Sequence, residues 1–97
     1  MRKTHALTHP RHAPPQALAA VKNTLRKYVK RERRKELPEG ADYWDFDCRV
    51  GLDEASATPA HVAEVVKRVD ALAAEGALEV YVEILAKPAR RTKRPAS

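Results

Sequence analysis

Apolar residues recur at spacings of three and four between positions 15 and 36. Leu18, Val21, Leu25, Tyr28 and Val29 share one face. That period predicts an amphipathic helix over 15–36. Lys22, Arg26, Lys27, Lys30, Arg31, Arg33, Arg34 and Lys35 fill the remaining arc. Their aliphatic stems suit a helix and flank the apolar stripe. Glu32 falls on the apolar side, four residues after Tyr28. The buried stripe is therefore expected to end near Val29, with the last two turns overhanging the core or pairing with something. Leu37-Pro38-Glu39-Gly40 then stops the helix.

The period changes to two at 43–50. Trp44, Phe46, Cys48 and Val50 point one way, and Tyr43, Asp45, Asp47 and Arg49 the other. That alternation predicts a half-buried strand. Gly51 to Ala57 reads as a loop, and Thr58-Pro59 as the N-cap and first position of a second helix. Val62, Val65, Val66, Val69, Leu72 and Ala73 form its stripe, and Gly76 is its stop. Residues 79–87 alternate again, with Val80, Val82, Ile84 and Ala86 against Tyr81, Glu83, Leu85 and Lys87. Pro88 is expected to end this strand. Residues 3–9 fit a short first strand, closed by the prolines that follow.

The order is β-α-β-α-β, an α/β or α+β domain over 1–88 with a flexible basic tail over 89–97. The strands at 43–50 and 79–87 each have one apolar and one mixed face. That predicts a three-stranded sheet with both helices on one side. Right-handed crossovers would then lay the strands in sequence order.

Length and composition narrow the class. Ninety-seven residues permit one domain with one modest core. A hydrophobic content of 43% argues against wholesale disorder. The longest apolar run, Ala17 to Val21, is far too short to cross a membrane. No apolar segment follows Arg2 and Lys3, so a secretory signal is not expected. Residues 1–31 lack acids, a bias shared with mitochondrial presequences, but a basic structured segment is the simpler reading. Cys48 is the sole cysteine and cannot form an internal disulfide, which suits a reducing cytoplasm.

The net charge of +6 conceals three blocks. Residues 1–35 carry 11 Lys and Arg against one acid. Residues 36–86 carry three bases against 12 acids, and residues 87–97 carry five bases and no acid. Blocks of like charge make interaction surfaces or tails. The plainer alternative is that the basic segments lie on the acidic middle.

Three constellations carry possible chemistry. The first is the basic helix, Lys22 to Lys35, with Arg90, Arg91, Lys93 and Arg94 of the tail. Neutralising phosphates releases condensed counterions, and arginine offers bidentate donors. RNA binding also draws on exposed aromatics, and Tyr43 and Tyr81 are expected on the open sheet face. Asp45, Asp47 and Glu83 share that face and would repel phosphate, so the helix and tail are the expected interface.

The second is Asp45, Asp47 and Glu83, which could hold Mg²⁺ for phosphodiester hydrolysis. A sheet face whose acids pair with Arg49 or with the basic helix is the plainer reading. The third is His5, His9 and His12, three histidines that could ligate Zn²⁺ or Ni²⁺. Pro10 separates the last two, so no helix fixes their geometry. Cys48 alternates with Trp44 and Phe46 and belongs to the core. His61 has no serine partner for a triad.

Lys30-Arg31-Glu32-Arg33-Arg34-Lys35, Leu37-Pro38-Glu39-Gly40, Trp44-Asp45-Phe46-Asp47-Cys48 and Tyr81-Val82-Glu83-Ile84-Leu85-Ala86-Lys87-Pro88 together resemble a family of small uncharacterised bacterial proteins. The likeness spans nearly the whole chain. It implies a bacterial, cytoplasmic origin and brings no catalytic residues.

The leading expectation is a small non-enzymatic module that binds RNA or ribonucleoprotein through its basic helix and tail, without a cofactor. The alternative is a protein-interaction module or homodimer in which the basic helix meets an acidic partner or sheet face. A metal-dependent phosphodiesterase comes third.

Overall fold

A computed structural model describes residues 1–8 and 14–91. The chain runs β1 (Arg2–Ala6), α1 (Pro14–Arg33), β2 (Tyr43–Gly51), β3 (Thr58–Ala60), α2 (Val65–Ala74) and β4 (Glu79–Ala89). A single 3-10 turn, Val62–Glu64, precedes α2. The fold is α+β, with two helices on a four-stranded antiparallel sheet of order β1-β4-β2-β3.

Two expectations are corrected here. The sheet has four strands, not three, and they do not lie in sequence order. β1 and β2 both pair antiparallel with β4, so they run parallel to each other with β4 between them. The β1-α1-β2 crossover thus leaves a one-strand gap, a split β-α-β unit, which the last strand fills. The extra strand is β3, which pairs its three residues with Cys48, Arg49 and Val50. Thr58 is therefore not a helix cap. Its hydroxyl accepts from Arg68 Nη2, which also donates to the Val50 carbonyl. Pro59 has no N–H to donate and is tolerated because β3 is an edge strand. His61 caps the 3-10 turn instead, its Nδ1 accepting from Ala63 N at 3.1 Å.

The two helical stripes face the sheet as their periods require. Val21 and Leu25 of α1 and Val65 and Val69 of α2 are buried with Phe46, Cys48, Val50, Val80, Val82 and Ile84. Every strand residue in that set comes from the alternating apolar face. Gly76 ends α2 at φ +91°, with its N–H on the Ala73 carbonyl and Ala77 N–H on the Leu72 carbonyl. That pair of bonds satisfies orphan carbonyls of the last turn.

α1 stops at Arg33, three residues before the expected end. Arg34 N and Lys35 N donate to the carbonyls of Arg31 and Glu32, which tightens the last turn. Trp44 Nε1 donates to the Lys35 carbonyl at 2.8 Å and fixes the exit from the helix. Of overhang and pairing, the end of the helix shows pairing: Glu32 is buried, and Lys35 Nζ reaches its carboxylate at 2.6 Å. That ammonium holds the carboxyl below the usual range.

β4 continues through Pro88 to Ala89, so the strand does not end where the proline suggested. β1 covers only Glu79 to Glu83, which leaves the outer edge of β4 free at Pro88. Ala89 is thus sheet and not tail, while residues 92–97 lie outside the described residues.

As an inner strand, flanked by β1 and β2, β4 is buried on both faces over Val80–Ile84. Glu83, on the face away from the helices, is held by Arg2 from β1 and Arg49 from β2. Hydrogen bonds from Arg2, then Arg49, keep its carboxyl below the usual range. Arg49 also donates to the carbonyls of Glu54 and Ala57, which ties the 52–57 loop to the sheet.

His5 is 6% exposed and lies across from Val80, on the helix-covered face. Its Nε2 has no hydrogen-bond partner among the described residues. Burial, then the charge of Lys3, lowers its pKa below the ordinary 6.5. The folded state thus favours the neutral ring, and the unfolded chain takes up the proton first. Stability is expected to be full above about pH 6.5 and to fall as the pH drops below it. Thermal melts between pH 5 and 8 should show this slope, and His5→Leu should flatten it. The lowered carboxyls of Glu32 and Glu83 act separately: their contribution is full above about pH 4.5 and is lost below it.

Candidate nucleic-acid interface

α1 and the turn that ends it present their cations along one exposed flank. Arg26, Lys27, Lys30, Arg31, Arg33 and Arg34 are exposed, and none forms an ion pair among the described residues. Lys22 and Lys35 of the predicted set are committed elsewhere. Lys22 bonds Asp70 of α2 at 3.0 Å, and Lys35 bonds Glu32. Two of the free arginines lie over aromatic rings, Arg31 over Tyr28 and Arg33 over Phe46, each at 5.5 Å. Such contacts hold a guanidinium in place while its edge stays in water.

A cleft of about 780 Å³ runs between α1 and α2. Its floor is aliphatic, from Leu25, Val29, Val62, Val66 and neighbours. Its rim is cationic, from Arg26, Lys30, Arg33, Arg34 and Lys67. Lys67 was not among the expected residues. It lies in the acidic block of the sequence, and only the docking of α2 on α1 brings it to this rim.

A second cleft opens where α1 ends and β2 begins. Arg33, Leu37, Asp42, Tyr43, Trp44 and Arg91 line its roughly 600 Å³. Asp42 builds one wall by closing two bonds onto the end of β4. Its N–H donates to the Ala89 carbonyl, and its Oδ2 accepts from Arg91 N, both at 2.8 Å. Arg90 lies against Gly40, which has φ +85° and where a Cβ would come within 2.7 Å of the guanidinium. The basic helix and the first two arginines after β4 thus converge at one end of the sheet. Lys93 and Arg94 lie outside the described residues.

Of the two tyrosines expected on the open sheet face, only Tyr43 is available, at 40% exposed. Tyr81 is 6% exposed because it sits on an inner strand. The basic helix does not lie on the acidic face of the sheet, since the helices cover the opposite face. That face supplies its own bases: Arg2 and Arg49 to Glu83, and Lys87 to Asp47 at 2.8 Å.

Asp45, Asp47 and Glu83 are not gathered into one ligand set. Asp45 accepts from Phe46 N, and the other two carboxylates each face a base. Among the described residues no three His, Cys, Asp or Glu side chains stand close enough to hold a metal ion. His9 and His12 lie outside the described residues, and His5 is buried against the sheet. Also among the described residues, no helix is long and apolar enough to cross a membrane.

Cys48 is buried in the core, and burial, then the charges of Asp47 and Asp45, pushes its thiol up to about 11. The thiolate is the reactive form. Alkylation at pH 8 should therefore leave the native protein unlabelled and modify one thiol once denaturant is added, as mass spectrometry would show.

No curated protein and no solved structure matches the chain. A family model does match, over residues 1–96, and by that match the chain belongs to a family of unknown function (DUF6172).

Proposed function

We propose that this chain is a small non-enzymatic module that binds RNA, alone or in a ribonucleoprotein, through the phosphates. The supporting observation is the separation of charge. Six cations of α1 and the turn that ends it are exposed without an acidic partner among the described residues, while Asp47 and Glu83 are matched by bases on the far side of the sheet. A phosphate backbone would meet cations that no internal acid screens. Phosphate contacts position a strand and carry little sequence information. The single buried cysteine suits a reducing compartment such as the cytoplasm.

A salt titration tests the reading. The logarithm of the affinity for RNA should fall linearly with the logarithm of salt concentration, by about 0.7 for each phosphate neutralised on a single strand. An affinity unchanged between low and high salt would sink it.

The aliphatic floor of the larger cleft favours a second reading, an acidic amphipathic segment of a protein partner. Helices of that kind lay an apolar face into such grooves. A complex with an acidic peptide, together with no affinity for RNA, would select it. Self-pairing of α1 with the sheet face of a second copy is less favoured, because that face already balances much of its own charge.

A further inference from the structure

We propose that the cleft between α1 and α2 binds a monomeric fatty-acid carboxylate, its alkyl chain on the valine floor and its head at Arg33. This goes beyond the RNA reading and does not depend on it. Two contacts fix which side of α1 faces the cleft. Lys22 Nζ donates to Asp70 of α2 at 3.0 Å, so that side of α1 faces α2. Arg33 lies over Phe46, a core residue of β2, at 5.5 Å, so the same side stays above the sheet to the helix end. Lys22, Arg26, Val29 and Arg33 follow one another at spacings of four, three and four, which makes them one row of the helix.

The same two contacts define the ends of the cleft. The Lys22–Asp70 bridge spans from α1 to α2 and closes one end. Arg33 stands at the other, roughly 16 Å away at the helical rise. The surface between them is aliphatic. Val29 of α1, Val62 of the 3-10 turn and Val66 of α2 line the cleft and are only half-buried. Beneath them Leu25, Val65 and Ile84 are fully buried. The volume of about 780 Å³ lies within the range of small-molecule sites.

Charge selects the head of the ligand. Arg26, Lys30 and Arg33 form no ion pair among the described residues. The acids on the α2 side are already matched, Asp70 by Lys22 and Glu64 by Lys67 at 3.8 Å. A carboxylate at this rim would meet cations that no acid opposes, and its alkyl chain would cover valines that the fold leaves half-exposed. A neutral lipid forgoes the first gain, and a hydrophilic anion forgoes the second. Arg33 is also held over a ring before any ligand arrives, so it loses less freedom on binding.

The test is calorimetric titration with octanoate, decanoate and dodecanoate, each below its micelle concentration. Affinity should rise by up to about fourfold per added methylene. Decyltrimethylammonium, with a similar tail and a cationic head, should not bind. Arg33→Gln should weaken all three carboxylates by a common factor of about two to five and keep the increment per methylene. Val66→Gln should reduce that increment, and Val66→Leu should keep it. The series on the wild-type chain decides the matter even if Val66→Gln fails to fold. Carboxylates that do not bind, that bind with no increment, or whose increment survives in folded Val66→Gln would overturn the proposal. So would binding of phosphatidylglycerol vesicles, or of an acidic amphipathic peptide, by a chain indifferent to the monomers. The salt slope for RNA is a separate measurement, so either reading can fail alone.

Discussion

Replacing Arg26, Lys27, Lys30 and Arg34 together by glutamine is expected to lower RNA affinity by two to three orders of magnitude near 0.1 M salt. Counterion release sets the size of the loss. Each single-strand phosphate contact contributes about 0.7 to the salt slope, so each multiplies affinity by about five at 0.1 M relative to 1 M. Four lost contacts give a few hundred-fold, and the slope itself should fall by about three. These four residues are exposed and form no ion pair among the described residues, so their removal leaves no buried charge behind. Glutamine has nearly the helix propensity of lysine and arginine, so α1 should persist by circular dichroism. Lys87→Gln is the matching control. It removes one charge from the other face of the sheet, where Asp47 raises the Lys87 pKa by hydrogen bonding to it. Salt slope and affinity should both stay at wild-type values in that variant. Were Lys87→Gln to weaken binding as much per charge as the α1 changes do, the helix would have no special role.

The same charges show how far the sequence could be read. The cationic arc of α1 was legible because a helix carries its own period: the stripe at Val21 and Leu25 fixes where every other side chain points. The alternation at 44–50 and 80–86 was legible for the same reason. What escaped was whatever depends on neighbours. Three residues of β3 contain no period, and Thr58-Pro59 satisfies a helix-start pattern as well as an edge-strand one. The choice was made by Arg68, which takes both the Thr58 hydroxyl and the Val50 carbonyl. Tyr81 and Glu83 read as solvent-facing because they alternate with valines, yet the insertion of β4 between β1 and β2 buries both. Glu32 likewise read as the end of the buried stripe, and a lysine three residues on allowed it to be covered. Both clefts are products of docking, so Lys67 and the pairing of Arg33 with Arg91 carry no signal along the chain.

Leu25→Ala is expected to cost about 2–5 kcal/mol, a large part of what holds a 97-residue chain folded. Leu25 is among the largest fully buried side chains, at 1% exposed, and α1 has few others. Val21 and Ala17 are buried with it, while Leu18, Tyr28 and Val29 are only half-buried. Among the described residues the polar tethers of the helix are also few: Lys22 to Asp70, the Tyr28 hydroxyl to the Met1 ammonium and, just past the helix end, the Lys35 carbonyl to Trp44. Removing the leucine therefore loosens the attachment of the element that carries the exposed cations. For a domain of this size each kcal/mol shifts Tm by about 4–8 °C, so a drop of about 8–40 °C should appear in thermal melts. Leu25→Met keeps the volume and should lose less than about 1.5 kcal/mol. Because Leu25 also floors the α1–α2 cleft, the two variants separate anchoring from surface chemistry. Below its melting temperature Leu25→Met should bind RNA with the wild-type salt slope. At temperatures where α1 has come away from the sheet, Leu25→Ala should change its Trp44 emission before it loses affinity for phosphate. The indole then leaves the Lys35 carbonyl, whereas a detached basic helix still attracts a polyanion.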